Sequence, residues 1–469
     1  MNRLFTRSTK GPSVHNPGHR PGLAFSFVLA LAVYAAQAAP SGGVFAITDF
    51  GAVSDTTVLS TEAIQRAVDA CSAAGGGRVV VPSGSYTTGT LCLRSHVDLH
   101  LETGATLYGS TRLEDYRPMR TSYVSLRTWD ETVQLIYADS VEDVSITGFG
   151  TIDGRGAAFP KLSWNDEGIT RPHLLRFIQC RDVRICDVTL RNSGCWMQHY
   201  LACDRVHIRG IKVFNRNNYN NDALDLDGCH DVVVSDMIAD SDDDAITLKS
   251  TSPRLCENIV VHDCIVSSHC NAIKLGTETN GGFRNINISN CVVRPSADQS
   301  TQFFGHAAKR GTSAISLEIV DGGTLENVHV SNIVAEGTES PIFIRLGNRA
   351  RSYARDVPVE KVGILRGVHL QNITVSNAGS TGCSITGLPG HPVEDIWLSD
   401  ITIHHKGGLR AVGVPADEKE ADYPEATMWG PLPARGFFIR HARNVNFRNV
   451  AITTAEADER PEYLKIDVE

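Results

Sequence analysis

The chain has 469 residues, of which 42% are hydrophobic and 21% are charged, as in an ordinary soluble globular protein. Its formal net charge of −9 gives no field that would attract nucleic acid or an anionic membrane, so we expect neither as a partner. An acidic substrate would be repelled on average, and its binding would require a local basic patch.

The N-terminus has the pattern of an export signal. Basic residues precede an almost entirely apolar run over 22–36, which leads into the small-residue cleavage pattern Ala36-Gln37-Ala38. The alternative is a membrane anchor, but spanning a bilayer takes about 20 apolar residues. We therefore predict that 1–38 is a signal peptide. The mature chain would be an exported monomer, periplasmic or extracellular, with no membrane attachment.

A short helix is predicted before the main body of the chain. Residues 61–73 carry Ile64, Val68 and Cys71 at helical spacing. Such an amphipathic helix would cover the open end of the repeats that follow, as the terminal coils of a solenoid require.

An internal repeat dominates the rest of the chain. The phrase polar-polar-Val/Ile-x-Val/Ile recurs, and its first branched residues include Val183, Val206, Val232, Ile259 and Ile286. Each copy indicates one short alternating strand, and no single strand could bury its apolar face alone. Stacked copies predict an all-β fold, a single-stranded right-handed parallel β-helix over 44–455. A polar C-terminal tail is expected over 456–469.

A second strand in each coil aligns the rows that begin at Asp222, Asp244, Asn271, Ser313 and Ser340. The Ile and Leu columns of these rows share one parity and must face the core, so the residues between them form two outward ladders. The first ladder is Asp225, Thr247, Lys274, Ser316 and Phe343. The second ladder is Asp227, Lys249, Gly276, Glu318 and Arg345.

A group of aspartates lies on two consecutive coils. Asp222 precedes Asp243 and Asp244 by one coil, which places them on rungs about 5 Å apart. Crowded carboxylates repel, so at least one should keep its proton near neutral pH and supply an acid beside a base. Hydrolysis of a glycosidic bond requires such a pair. From the residues alone, turn-forming surface aspartates or calcium ligands remain alternatives.

These residues resemble a known family. Asn220-Asn221-Asp222 followed by Asp243-Asp244 is similar to the polygalacturonase-type enzymes of glycoside hydrolase family 28, which carry Asn-Thr-Asp and then Asp-Asp at this separation. The phrase over 148–154 and the pair Trp196 and His199 extend the resemblance over most of the mature chain. The resemblance implies an inverting hydrolase of a pectic, galacturonate-containing polysaccharide or oligosaccharide. It further implies Asp243 as general acid, Asp222 and Asp244 as the pair that activates water, and no metal or other cofactor.

The chain departs from the family at two points. Asn271 stands where the family has a histidine, and His269 lies two residues earlier as a substitute. Residues 316–318 replace the Arg-Ile-Lys that grips the galacturonate carboxylate, so we expect Lys274 or Arg345 to supply the charge. The departures favour an exo-acting enzyme or a rhamnogalacturonan-related substrate.

Asp225 and Trp196 complete the predicted substrate-binding residues. Long connections at 155–172, 296–312, 346–364 and 406–436 are expected to rim the groove. Two other classes of protein stay open: a calcium-dependent pectate-type lyase, and a non-catalytic glycan-binding β-helix.

Overall fold

The computed structural model describes residues 43–161, 168–296 and 310–469. The signal peptide predicted over 1–38 lies outside these residues. No helix in the described part of the chain is long and apolar enough to cross a membrane.

The described residues form 31 strands that join one continuous sheet. The first thirteen are β1 Gly43–Ala46, β2 Gly77–Val81, β3 Gly84–Thr88, β4 Leu91–Cys92, β5 Val97–Leu101, β6 Ala105–Gly109, β7 Gln134–Asp139, β8 Glu142–Gly148, β9 Thr151–Asp153, β10 His173–Ile178, β11 Arg181–Cys186, β12 Thr189–Arg191 and β13 Gln198–Leu201. The next ten are β14 Asp204–Arg209, β15 Lys212–Asn215, β16 Leu224–Asp227, β17 His230–Ser235, β18 Ile238–Ser241, β19 Ile246–Ser250, β20 Cys256–His262, β21 Ile265–Ser268, β22 Asn271–Thr279 and β23 Gly282–Val293. The last eight are β24 Gly311–Ile319, β25 Thr324–Glu336, β26 Thr338–Leu346, β27 Ile364–Ala378, β28 Cys383–Thr386, β29 Val393–Gly407, β30 Phe437–Glu456 and β31 Tyr463–Val468.

Equivalent strands of successive coils pair in parallel, which confirms the predicted parallel β-helix. The repeat phrase stacks in register, with Val183 on Val206, Val206 on Val232 and Val232 on Ile259. All four side chains are buried. The spacing in the sequence therefore reflects one continuous apolar column in the core.

The polar residue before each of these branched residues turns the corner of a coil. Asp231 and Asn258 both have φ +56°, and Asn285 has φ +57°. Short Asn and Asp side chains tolerate this left-handed conformation better than most residues do. The corner side chains also stack, because the amide of Asn285 donates to Oδ1 of Asn258 at 3.0 Å. This explains why polar residues recur at that place in the repeat.

The two ends of the described helix differ. Helix α1, Thr61–Ala73, buries Ile64, Val68 and Cys71 against the first coils, as predicted. Three short 3₁₀ turns lie at Ile47–Phe50, Leu113–Asp115 and Gly156–Ala158. At the other end, the segment expected to be a polar tail carries β31, which pairs in parallel with β30. Its composition conceals a strand because only alternate residues face the last coil.

One long face of the solenoid carries β10, β13, β16, β19, β22 and β24. The first outward ladder is confirmed on this face, with Asp225 beside Thr247, Thr247 beside Lys274 and Lys274 beside Ser316. The second ladder is broken. Leu248 pairs with Leu275 but Ser250 pairs with Thr279, so 276–278 bulges opposite Lys249. The bulge brings Glu278 next to Lys249 in place of Gly276.

Candidate active site

A cavity of about 370 Å³ lies on this face of the solenoid. The connection between β6 and β7 lines it with Leu126, Arg127, Trp129, Asp130 and Thr132. The coils add His173, Arg176, Trp196, His199, Asn220, Asp222, Asp243, Asp244, Lys249, Cys270 and Glu278, and the connection at 155–172 adds Ile169. The later connections contribute Arg351, Tyr423 and Glu425. Of the long connections predicted to rim the groove, the described parts of three therefore reach the cavity.

The structure brings the three predicted aspartates into this one cavity. Asp222 and Asp244 occupy adjacent rungs, where the backbone N–H of Ala223 donates to the carbonyl of Asp244 at 2.9 Å. Carboxylate oxygens of Asp243 and Asp244 and the sulfur of Cys270 all lie within 4.8 Å of one another. Stacked rungs therefore crowd the acidic groups as the sequence indicated.

The crowding divides the carboxyl groups into different protonation states. Burial, reinforced by the Asp244 charge, raises the pKa of Asp243 to about 7. Burial would also raise the pKa of Asp244, but Lys274, Lys249 and the Asn271 amide lower it below its ordinary value. Burial and the charges of Asp225 and Asp243 raise the pKa of Asp222. At neutral pH the site thus holds an ionised Asp244 beside carboxyl groups that retain protons.

Lys274 and Asn271 contact the carboxylate of Asp244 and do not line the cavity. The Lys274 Nζ lies 3.0 Å from Asp244 Oδ2. The backbone N–H and the side-chain amide of Asn271 each donate to Asp244 Oδ1 at 3.0 Å. Both residues were predicted to bind substrate, and the structure instead places them where they hold the carboxylate of Asp244 ionised.

Lys249 is the centre of a second group of charges. Its Nζ lies 3.5 Å from Asp225 Oδ1, 3.7 Å from Asp222 Oδ2 and 3.8 Å from Glu278 Oε2. Asp225 is fully buried and does not line the cavity, so it neutralises Lys249 from the side away from the cavity. Lys249 belongs to the second outward ladder, whereas Glu278 was missed because only the bulge at 276–278 brings it here.

Trp196 lines the cavity but offers little surface to a sugar ring, since only 3% of it is exposed. The Arg127 guanidinium and the Lys249 ammonium each lie 4.8 Å from its ring centre. Such cation–π contacts position both cations. Trp196 therefore supports the charged groups of the site from beneath.

Two predicted binding residues lie away from the cavity. His269 is buried, with Nδ1 3.0 Å from Asp242 Oδ1 and 3.2 Å from Arg216. Arg345 is buried under the 406–436 connection, where its guanidinium donates to the carbonyls of Glu418 at 2.7 Å and Gly387 at 3.2 Å. Arg345 anchors the connection that carries Tyr423 and Glu425, and His269 belongs to a buried hydrogen-bond network with Asp242 and Arg216.

Three arginines that sequence reasoning missed line the cavity. Arg127 donates to Glu278 Oε1 at 2.8 Å, and Arg351 lies 3.7 Å from the same oxygen. Arg176 is only 2% exposed, and its hydrogen bonds go to Thr132 Oγ1 and the Arg127 carbonyl rather than to a carboxylate. In the strand register, Arg176 lies beside His199, and His199 lies beside Asp225. Extending the first outward ladder toward the N-terminus would therefore have identified Arg176. No repeat marks Arg127 or Arg351, which belong to irregular connections.

A parallel β-helix with an ionised and a protonated carboxyl group beside a cation-lined cavity has the features of a polysaccharide hydrolase. Residues 71–414 match the model of the family "Glycosyl hydrolases family 28". The chain belongs to this family and is an enzyme that hydrolyses O-glycosyl bonds.

Curated relatives and solved structures agree with this family. A probable polygalacturonase of Vitis vinifera is 27% identical over 76% of this chain and 74% of its own length. An exo-poly-alpha-D-galacturonosidase of Dickeya chrysanthemi is 28% identical over 43% of this chain and 41% of its own. The exopolygalacturonase of Thermotoga maritima shares the fold with a TM-score of 0.67 at 22% identity, covering 88% of this chain and 92% of that one.

Proposed function

We propose that the enzyme is an inverting, exo-acting hydrolase that removes galacturonate units from the end of a pectic polysaccharide or oligosaccharide. The observation that carries the proposal is a cavity that joins the carboxyl pair, Asp243 and Asp244, to three arginines. A uronate-containing substrate is anionic, and the net charge of the chain would repel it unless the cavity held such cations.

In the proposed reaction, Asp243 donates its proton to the oxygen of the leaving sugar as the glycosidic bond breaks. A water molecule attacks the anomeric carbon from the opposite face, and Asp244 accepts the proton that this water loses. Oxygens of Asp243 and Asp244 lie within 4.8 Å, whereas the carboxyl groups of inverting enzymes are usually about 6.5–9.5 Å apart. We therefore propose that the attacking water lies between Asp244 and Asp222, which occupy adjacent rungs, and not between Asp243 and Asp244.

Arg127 and Arg351 are the proposed partners of the substrate carboxylate. Both contact Glu278, whose pKa burial would raise but which Arg127, Lys249 and neighbouring arginines hold well below its ordinary value. The Arg351 side chain is 45% exposed and lies 3.7 Å from Glu278, so its guanidinium retains hydrogen-bonding capacity for a second anion. A guanidinium suits this role because it binds carboxylates with two parallel hydrogen bonds.

Exo action is favoured by the way two connections are tied together beside the cavity. Nε1 of Trp129 donates to the carbonyl of Tyr353 at 2.9 Å, and Arg355 lies 3.2 Å from Asp130. Trp129 and Asp130 themselves line the cavity. A wall of this kind accommodates the end of a polymer, whereas a chain cut internally would have to continue past it.

The test combines product sizing with stereochemistry. Digestion of polygalacturonate and its oligomers is expected to release monosaccharide from the first minutes, and proton NMR should detect the β-anomer first if an α-linkage is inverted. Release of mixed oligomers would refute exo action, and an initial α-anomer would refute inversion. Ultraviolet-absorbing unsaturated products would identify a lyase, and no cleavage of any uronate substrate would remove the substrate assignment.

The carboxylate contact is tested by comparing substrates that differ in charge. Arg351→Met is expected to weaken kcat/KM on a galacturonide about tenfold or more, because hydrogen bonds to charged groups contribute about 1.5–3 kcal/mol. The variant should change little on the matching galactoside, which lacks the carboxylate. Equal losses on both substrates would show that Arg351 does not recognise this group.

A further inference from the structure

The 406–436 connection brings Tyr423 and Glu425 into the wall of the catalytic cavity. The Tyr423 hydroxyl accepts hydrogen bonds from Thr277 Oγ1 at 2.9 Å and from Lys274 Nζ at 3.4 Å, which fixes one end of the ring to strand β22. The residue nevertheless stays 45% exposed. The face of an aromatic ring is negative, so it attracts the C–H groups of a sugar and repels a carboxylate. Tyr423 therefore suits the apolar face of an uncharged sugar.

Glu425 lies beside the catalytic carboxyl groups and is only partly buried. Its Oε2 is 3.7 Å from the sulfur of Cys270, and the same sulfur lies within 4.8 Å of carboxylate oxygens of Asp243 and Asp244. The backbone N–H of Ala426 donates to Oε1 of Glu425 at 3.2 Å. A carboxylate has about four acceptor positions, so Glu425 keeps capacity to accept a hydrogen bond from a hydroxyl of a bound sugar.

The surroundings of Glu425 disfavour a second carboxylate. Burial raises the pKa of Glu425 to about 7, and the charges of Glu318 and Asp244 add to this rise against the opposing effect of Lys274. A substrate carboxylate at this place would meet the same burial and the same negative charges. An uncharged sugar unit avoids both costs.

Two cations lie near the Tyr423 ring, and both are already paired with carboxylates. Lys274 Nζ and the Arg349 guanidinium are 5.5 Å and 5.9 Å from the ring centre. Lys274 pairs with Asp244 and its side chain is 1% exposed. Arg349 donates from Nε to Asp321 Oδ1 at 3.0 Å and its side chain is 11% exposed. Neither cation lines the cavity, so among the described residues this part of the wall offers no cation to a substrate carboxylate.

The cavity therefore has two ends of different charge. Arg127 and Arg351 both lie within ion-pair distance of Glu278, the last residue but one of strand β22. Glu425 contacts Cys270, which directly precedes the same strand. The strand spans nine residues, so the two arginines and Glu425 lie toward its opposite ends. A sugar whose carboxylate meets the arginines leaves the Glu425 end to the neighbouring sugar unit.

We propose that Tyr423 and Glu425 bind an uncharged sugar unit on the leaving side of the bond that is cut, so that the preferred substrate is a terminal galacturonate joined to a neutral or methyl-esterified sugar. The inference rests on the proposed function, in which Asp243 protonates the oxygen of the leaving sugar, and it adds the chemical class of that sugar. Tyr423 packs on the C–H face of the leaving sugar, and Glu425 accepts from one of its hydroxyls. A second galacturonate is still accepted there, but it is cleaved more slowly.

The charge preference is tested with digalacturonate and with its methyl ester on the leaving unit. The wild-type enzyme should cleave the ester with a kcat/KM about tenfold or more above that of the free acid, because like charges oppose the second carboxylate. Glu425→Arg should shift this ratio toward the free acid by about tenfold or more, since a guanidinium forms strong hydrogen bonds with a carboxylate. Glu459→Arg adds the same charge at an exposed position between β30 and β31, outside the cavity lining, and should leave the ratio unchanged.

The contact with Tyr423 is tested by removing either its ring or its hydroxyl. Tyr423→Leu should lose about fivefold in kcat/KM on the esterified disaccharide, whereas Tyr423→Phe keeps the ring and should lose less. Methyl galacturonide has no sugar on the leaving side, so both variants should cleave it at nearly the wild-type rate. Thermal unfolding of each variant separates changes in stability from changes in recognition.

Each outcome bears on one claim. A wild-type enzyme inactive on every galacturonide would overturn the proposed function itself. An active wild type that cleaves digalacturonate as fast as its ester would overturn the inference and leave the proposed function standing. An unchanged ratio in a folded Glu425→Arg, or an equal loss of Tyr423→Leu on methyl galacturonide, would also overturn it by removing that residue from the leaving side. If Glu425→Arg does not fold, the wild-type ratio and the two Tyr423 variants decide.

Discussion

Replacement of Lys274 by methionine should reveal which carboxylate is the catalytic base. Lys274 Nζ lies 3.0 Å from Asp244 Oδ2, and both side chains are buried. The ammonium is the largest of the influences that lower the pKa of Asp244 against the effect of burial. An opposite charge at this range favours the ionised carboxylate by about one to three pH units. Its removal should move the acidic limb of kcat/KM upward by about that amount.

The sign of the effect follows from the required protonation states. In the wild type the lowered pKa keeps Asp244 ionised, so activity is lost only as the pH falls through that low value. In Lys274→Met the acidic limb approaches neutrality. Lys274 also opposes the raised pKa of Asp243, so the basic limb should move upward too. The assay is the initial rate of monosaccharide release from a short galacturonate oligomer between pH 3 and pH 9.

Stability provides a second measurement on the same variant. An unpaired buried charge costs about 3–5 kcal/mol, so the variant should unfold more easily at pH 7. The deficit should shrink at pH 4, because protonation of Asp244 then removes the isolated charge. Lys212→Met, at an exposed position on β15, is the matched control. A folded Lys274→Met with an unchanged acidic limb would refute the assignment of Asp244 as the base.

Further predictions concern the general acid Asp243, independence of a metal, and the anchoring of the 406–436 connection by Arg345. Asp243→Asn should reduce turnover by about 10²–10⁴ while substrate binding measured by calorimetry survives; retained turnover would exclude Asp243 as the acid. Wild-type activity should fall as the pH rises through about 7, the raised pKa of Asp243, and a flat profile to pH 9 would contradict this. Chelator should leave the rate unchanged, because the Lys274 ammonium already neutralises Asp244, and inactivation reversed by calcium would show otherwise. Arg345→Met should lower the unfolding temperature by several degrees, because the Glu418 and Gly387 carbonyls lose their hydrogen bonds from the guanidinium. An unchanged unfolding temperature would contradict the anchoring role.

The fold was predictable because its two determinants are local and periodic. A column such as Val183, Val206 and Val232 recurs at nearly constant spacing, and the polar corner residue before each member is set by backbone conformation. The strand β31 escaped prediction for a related reason. It is the last strand that the structure describes, and its polar residues do not belong to a column that recurs in other coils.

The site was predictable only where it follows the rungs. Asp222, Asp243 and Asp244 lie where parity and coil spacing place them. Parity also put Lys274 and Arg345 on outward ladders, but it could not tell which neighbour each long side chain would meet. Lys274 meets the carboxylate of the adjacent rung, and Arg345 meets the backbone of a connection that no periodic pattern describes.

The catalytic carboxyl groups lie on the stacked rungs, whereas the proposed cations lie on the connections, and this difference bears on the departures from the family pattern. Carboxyl groups whose protonation depends on ångström-scale crowding lie on stacked rungs, where parallel pairing fixes their separation. The cations that we propose as partners of the substrate carboxylate lie on irregular connections, Arg127 between β6 and β7 and Arg351 between β26 and β27. Rung residues cannot move without disturbing the core on their inner side, whereas connections can. On this proposal, the charge that residues 316–318 do not supply comes from elements that change independently of the catalytic rungs.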